Sequence, residues 1–229
     1  MNLIFIHGAG NTGLVWHYQT ECFTDAQAID LPGHPHGKLC TSIDQYSEWL
    51  HQYIYRQGYS KPVIAGHSMG GAIAQTYALT YPQDVKALIL IDTGARLRVR
   101  QDFLEQLGTG IDSPSDWLEN IVEPAYSHVD PKIRKQVIDG VISVGPAMAL
   151  NDFRCCDKFD VMDKVSQITL PTLVICGSDD DMTPVKYAQY LANKISGSKL
   201  LIVEGGTHHC FLEKPKEVNN AVQDFLNGL

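Results

Sequence analysis

The sequence predicts an α/β chain: a doubly wound, mainly parallel sheet of about six strands, with a helical insertion before the penultimate strand. Short apolar runs at 2–6, 26–29, 62–66, 86–91, 172–177 and 199–203 alternate with stretches of helical periodicity, the pattern of parallel strands joined by crossover helices. Between Asp92 and Thr172 no strand pattern recurs, only helix-like pieces. At 229 residues with 44% hydrophobic content, the chain can bury one sizeable core.

In chain order, the first run ends in His7-Gly8-Ala9-Gly10 and the second in Asp30-Leu31-Pro32-Gly33-His34. A helix over 43–57 opens on Thr41 or Ser42 as N-cap and meets Gly58, a fitting stop. The third run enters Gly66-His67-Ser68-Met69-Gly70-Gly71 and leaves as an Ala-rich helix over 69–81. The fourth ends at Asp92, and helix-like pieces follow near 100–107, 114–124, 130–143 and 146–157. The fifth runs into Gly177-Ser178-Asp179-Asp180-Asp181 before a helix over 185–195. The sixth runs into Glu204-Gly205-Gly206-Thr207-His208-His209 before a helix over 215–227. No repeat, low-complexity tract or interdomain linker interrupts the series.

Gly-x-Ser-x-Gly between a β-branched strand and a helix is a turn that forces its serine into a strained conformation above the sheet edge. Side chains at 66 and 70 would collide there, which accounts for the glycines. A serine hydroxyl needs a base, and the base an orienting acid. His208 and His209 compete for the first role; Asp179, Asp180 and Asp181 compete for the second, with Asp92 at the end of an earlier strand as a further alternative. The order Ser, Asp, His, each after an apolar run, joins three separate loops into one chemistry.

On these motifs, together with Glu213-Lys214-Pro215, the chain resembles the α/β-hydrolase superfamily, in its small esterase, lactonase and haloperoxidase-like branch. The resemblance implies Ser68, Asp180 and His208 as catalytic residues, because the family acid lies three residues after the glycine ending its strand and the family histidine seven before the proline of Leu-Glu-Lys-Pro. It implies backbone amides of Ala9 and Met69 as oxyanion donors and His7 as a brace for their loop. It implies a core of 1–97 and 166–229 with a helical cap over 98–165, and substrate contacts from Trp16, Trp117, Tyr126 and Met148, with Ile121, Val122, Val141 and Phe153 as further candidates to face the pocket. Set against most relatives, the antiparallel edge hairpin is expected to be missing and strand 26–29 to lie at an exposed edge that a second copy could cover as a homodimer.

The balance of 26 acidic and 18 basic residues, a formal net charge of −8, disfavours nucleic acid and anionic membranes as partners. Arg96, Arg98 and Arg100 read as solvated surface. No run of 18 apolar residues exists, and neither a membrane span nor a signal segment is expected; a cytoplasmic location is expected. Six cysteines without Cys-x-x-Cys pairing read as buried small hydrophobes, and Cys210 lacks the turn that activates Ser68. His34, His36, His208 and His209 match no metal-ligand spacing; no metal and no cofactor are expected. The implied activity is hydrolysis of small carboxylic esters through an acyl-enzyme. A carbon–carbon bond hydrolase, lactonase, thioesterase or menaquinone-pathway-type lyase would keep the same triad, and a non-turnover ligand receptor would keep the same fold.

Overall fold

The computed structural model describes residues 2–229. Six strands form one sheet in the order β2-β1-β3-β4-β5-β6, and every neighbouring pair is parallel. The strands are β1 (Leu3–Ile6), β2 (Gln27–Ile29), β3 (Val63–His67), β4 (Ala87–Ile91), β5 (Thr172–Gly177) and β6 (Lys199–Val203). Around them lie α1 (His17–Cys22), α2 (Ile43–Gln57) and α3 (Met69–Thr80). The stretch between β4 and β5 holds α4 (Gln101–Asp112), α5 (Pro114–Trp117), a π-helical turn (Leu118–Val122), α6 (Glu123–Ala125), α7 (Pro131–Val144) and α8 (Pro146–Lys158). The chain ends with α9 (Val185–Lys194), α10 (Cys210–Glu213) and α11 (Pro215–Asn227).

Strand alternation splits the interior into two layers. Ile4, Ile6, Ile64, Leu88 and Val174 pack on α2, α3 and α9 through residues such as Tyr46, Ile73 and Leu191. Leu3, Phe5, Val63, Ile89 and Ile175 face the other way, onto Val218, Val222 and Phe225 of α11. Helix α2 is capped as its sequence predicts: Ser42 Oγ accepts from Gln45 N–H at 3.2 Å, and Gly58 closes it at φ 66°. β2, with a single neighbour, is three residues long, which limits the unpaired edge it presents.

The inserted helices share the core of the sheet. Leu107, Trp117, Tyr126 and Val141 join the Phe5 layer, whereas Met148, Cys155 and Cys156 of α8 cross to the Tyr46 layer. The arginine cluster is paired: Arg96 with Asp160 at 3.4 Å, Arg98 with the Asp157 carbonyl at 2.8 Å, and Arg100 with Asp102. Five cysteines are buried, but Cys22, at the end of α1, is exposed, contrary to the expectation that all six pack inside. Among the described residues no helix is long and apolar enough to cross a membrane.

Candidate active site

Ser68 sits between β3 and α3 at φ 51°, a left-handed conformation that costs a non-glycine residue about 1–3 kcal/mol. The strain is held at both ends of the residue. Ser68 N–H donates to the Ile91 carbonyl at 3.0 Å, and Thr93 Oγ1 donates to the Ser68 carbonyl at 2.8 Å. A Cβ on Gly66 would lie 2.2 Å from the Gly70 carbonyl oxygen, and one on Gly70 would lie 2.3 Å from that of Ile6. The turn therefore closes only with glycine at both positions.

Loops after β3, β5 and β6 bring three side chains into line. His208 Nε2 is 3.1 Å from Ser68 Oγ, and His208 Nδ1 is 2.9 Å from Asp180 Oδ2. Asp180 also accepts from the amides of Met182 and Thr183 at 2.9 and 2.8 Å and from Thr183 Oγ1 at 2.7 Å. Burial alone would raise the Asp180 carboxyl, but the His208 imidazole and these hydrogen bonds outweigh it and bring it down to about 2. Burial opposes charge on His208, yet Asp180 carries it above the ordinary imidazole value. An ionised Asp180 thus fixes His208 with Nδ1–H toward the carboxylate and Nε2 toward the serine.

The competing residues do other things. His209 stands against Tyr126 and His67 with ring centroids 4.5 and 5.2 Å apart, and burial lowers it to about 3. Asp179 N–H turns to the Gly206 carbonyl, and Asp181 is exposed. Asp92 takes the Gly177 amide at 2.9 Å and the Cys210 amide at 3.3 Å, stapling the acid loop to the histidine loop. Burial and the nearby Asp180 push its carboxyl up to about 7. Asp92, Cys176 and Asp180 lie close enough to suggest a metal set, but the hydrogen bonds just described engage all four carboxylate oxygens.

Ala9, Ser68 and His208 open onto a cavity of about 80 Å³. Trp117, Tyr126, Ile121, Val122, Val141 and Phe153 line it as expected. Two sequence expectations fail. Trp16 is fully buried beneath the first loop, stacked on Phe5 at 4.7 Å and against Phe211 at 4.4 Å, and does not reach the cavity. Met148 points to Gly33 on the far side of α8, while Ala149, one residue and about 100° around the helix, takes the cavity wall. Sequence reasoning also missed Phe103, Leu107 and Met182 on the wall; α4's amphipathic spacing carried a signal for the first two. Among the described residues no Lys, Arg, Asp or Glu lines the cavity.

The loop after β1 is braced from below. His7 Nδ1–H donates to the Gly8 carbonyl at 2.9 Å, while His7 Nε2 accepts from Leu31 N–H at 3.1 Å. That bonding requires a neutral ring, and burial and the His34 ring lower His7 to about 3. Met69, directly after Ser68, opens α3, where a helix-terminal amide has no partner within the helix.

A parallel sheet wound on both faces, with Ser, His and Asp in hydrogen-bonded series at its carboxyl edge, defines a class, and the sequence comparison agrees: residues 3–221 match the alpha/beta hydrolase family, and the chain belongs to it. Its homologues include esterases and lipases. It is 27% identical to the pimeloyl-(acyl-carrier protein) methyl ester esterase of Aliivibrio fischeri over 99% of this chain and 93% of that protein. It is 28% identical to the monoacylglycerol lipase abhd6-A of Xenopus laevis over 88% of this chain and 67% of that one. Among solved structures, a thermophilic esterase superposes with a TM-score of 0.83 at 30% identity, covering 99% of this chain and 89% of its own. The enol-lactonase of Burkholderia xenovorans LB400, at 16% identity and a TM-score of 0.87, shares the fold.

Proposed function

We propose that the protein is a serine esterase acting on small, uncharged carboxylic esters through an acyl-enzyme. One observation carries the reading: the unbroken series Ser68 Oγ, His208 Nε2, His208 Nδ1, Asp180 Oδ2, with links of 3.1 and 2.9 Å. In this reading His208 removes the Ser68 proton as Oγ attacks the ester carbonyl, and the amides of Ala9 and Met69 hold the oxyanion. His208 then protonates the leaving alcohol and later draws a proton from the water that cleaves the acyl-enzyme. Asp180 keeps the imidazole in the tautomer that both steps need and stabilises its cation.

The cavity supports the substrate class. Among the described residues its wall offers no lysine or arginine to meet a substrate carboxylate, and an unpaired charge would be costly in an apolar site of about 80 Å³. The stretch 98–165 acts as the cap that selects the acyl group, since Trp117, Ile121, Val122 and Tyr126 all come from it. Ester bonds are also what the methyl ester esterase and the monoacylglycerol lipase are named for. The test is steady-state hydrolysis of p-nitrophenyl acetate and butyrate by the wild type and Ser68→Ala. Turnover that vanishes in the variant upholds the reading; turnover that survives it, or none in the wild type, ends it.

A further inference from the structure

We propose that Asp152, on α8 of the insertion, is a positioning residue for the oxyanion hole, holding the loop that carries the Ala9 amide. The proposal rests on the esterase reading above. Asp152 is completely buried and lies outside the Ser-His-Asp series. Its Oδ2 accepts from Gly10 N–H at 2.9 Å and from His34 Nε2–H at 2.7 Å, and its Oδ1 accepts from the Tyr46 hydroxyl at 2.7 Å. His34 is itself fully enclosed, and its other nitrogen faces the Pro32 carbonyl at 3.3 Å. The short Nε2 contact makes the imidazole a donor to the same carboxylate oxygen that takes the Gly10 amide. The result is a buried carboxyl group held by an imidazole, a phenol hydroxyl and a backbone amide.

What this does for catalysis follows from the two peptide planes flanking Ala9. The Gly8 carbonyl is held by His7 Nδ1–H at 2.9 Å and Asn11 N–H at 3.3 Å, which orients the plane containing the Ala9 amide. The next plane is held at one end by Asn11 Nδ2–H on the Ala9 carbonyl at 3.0 Å, and at the other by Asp152 on Gly10 N–H. Gly10, at φ 65°, has no side chain to restrict its backbone, so without that grip its peptide is free to rotate. The insertion grips the loop twice, because Tyr126 donates its hydroxyl to Asn11 Oδ1 at 2.5 Å. An oxyanion donor works by being aimed before charge develops, and a tilted amide loses that advantage without being removed. Asp152 thereby makes the insertion part of the site's electrostatics as well as its wall.

A merely structural carboxylate would predict equal damage from losing any of its partners. Tyr46 binds the oxygen turned away from Gly10, so Tyr46→Phe is the control. With p-nitrophenyl butyrate, Asp152→Asn is expected to lower kcat by about 10- to 100-fold with KM little changed, less than outright deletion of an oxyanion donor. Tyr46→Phe is expected to lose thermal stability while keeping kcat near the wild-type value. Hydrogen exchange at the Gly10 amide should speed up in Asp152→Asn and not in Tyr46→Phe. Should Asp152→Asn fail to fold, His34→Gln, which removes the imidazole donor from the same oxygen, carries the test with the same expected split. Wild-type kcat in Asp152→Asn, or in His34→Gln where that variant replaces it, overturns the proposal, as does parallel loss of kcat and stability in Tyr46→Phe. If wild-type turnover does not depend on Ser68, the esterase reading has failed; if it does and Asp152→Asn is fully active, only this inference has.

Discussion

Trp117→Ala should lengthen the acyl chain that the protein accepts. The wild-type cavity of about 80 Å³ is roughly half the volume, about 150 Å³, of an apolar cavity that holds benzene. It therefore has room for an acyl chain of roughly three or four carbons. Each methylene buried contributes about 0.8 kcal/mol, about fourfold in kcat/KM, so activity on p-nitrophenyl esters should climb from acetyl to butyryl and fall by octanoyl. The Trp117 indole is buried on the wall, with its Cβ packed against the bare backbone of Gly110. Removing it opens space for several further carbons, and the optimum should move to hexanoyl or octanoyl while acetyl hydrolysis drops. The truncation costs about 3 kcal/mol of stability, the low end for a buried tryptophan, because the residue already borders a void. kcat/KM across acetyl, butyryl, hexanoyl and octanoyl esters is the assay. An unchanged chain-length profile in a folded variant, or a wild type that prefers octanoyl, would refute the assignment of this cavity as the acyl pocket.

Asp180→Asn should cost about 10⁴-fold in kcat, as expected where a carboxylate fixes the tautomer of the base. Asp92→Asn, which keeps one acceptor for the Gly177 amide and loses only the long bond from Cys210, should cost about fivefold or less, the worth of one hydrogen bond; the reverse ranking would hand the acid role to Asp92. The pH profile follows from the sign of the His208 shift: the base acts when neutral and its pKa is raised, so activity is lost below that pKa. The half-maximal point of kcat/KM should lie above about 6.5 and move downward in Asp180→Asn, and a midpoint below 6 in the wild type would contradict the ion pair. Gly66→Ala should yield little soluble protein, since its methyl would lie 2.2 Å from a carbonyl oxygen; normal yield and melting temperature would show the turn to be more yielding than its geometry.

The layered sheet was legible because each strand is an apolar run and each run ends at its loop without a break in register. The serine turn was legible for the same reason, since two glycines at fixed offsets have a steric cause that Gly66 and Gly70 display. Spacing alone left His208 against His209 and Asp180 against its neighbours, and family register was needed to choose the pair that meets at 2.9 Å. Which way a large apolar residue faces was not legible. Trp16 and Trp117 look alike as residues, yet one stacks on Phe5 and the other walls the cavity. Met148 and Ala149 differ by one step of a helix whose rotation depends on tertiary packing. The Asp152 cluster was invisible because its partners lie 118, 106 and 142 residues away, and beside Asn151 an aspartate in a helix reads as surface.

Trapping the covalent intermediate tests the esterase reading most directly. The protein would be mixed with p-nitrophenyl butyrate, quenched in acid within the first turnovers, digested and read by peptide mass spectrometry. The account predicts a butyryl group on Ser68, absent in Ser68→Ala and accumulating to at most one per chain. Turnover accompanied by acylation of another residue, such as the exposed Cys22, with Ser68 unmodified, would contradict it.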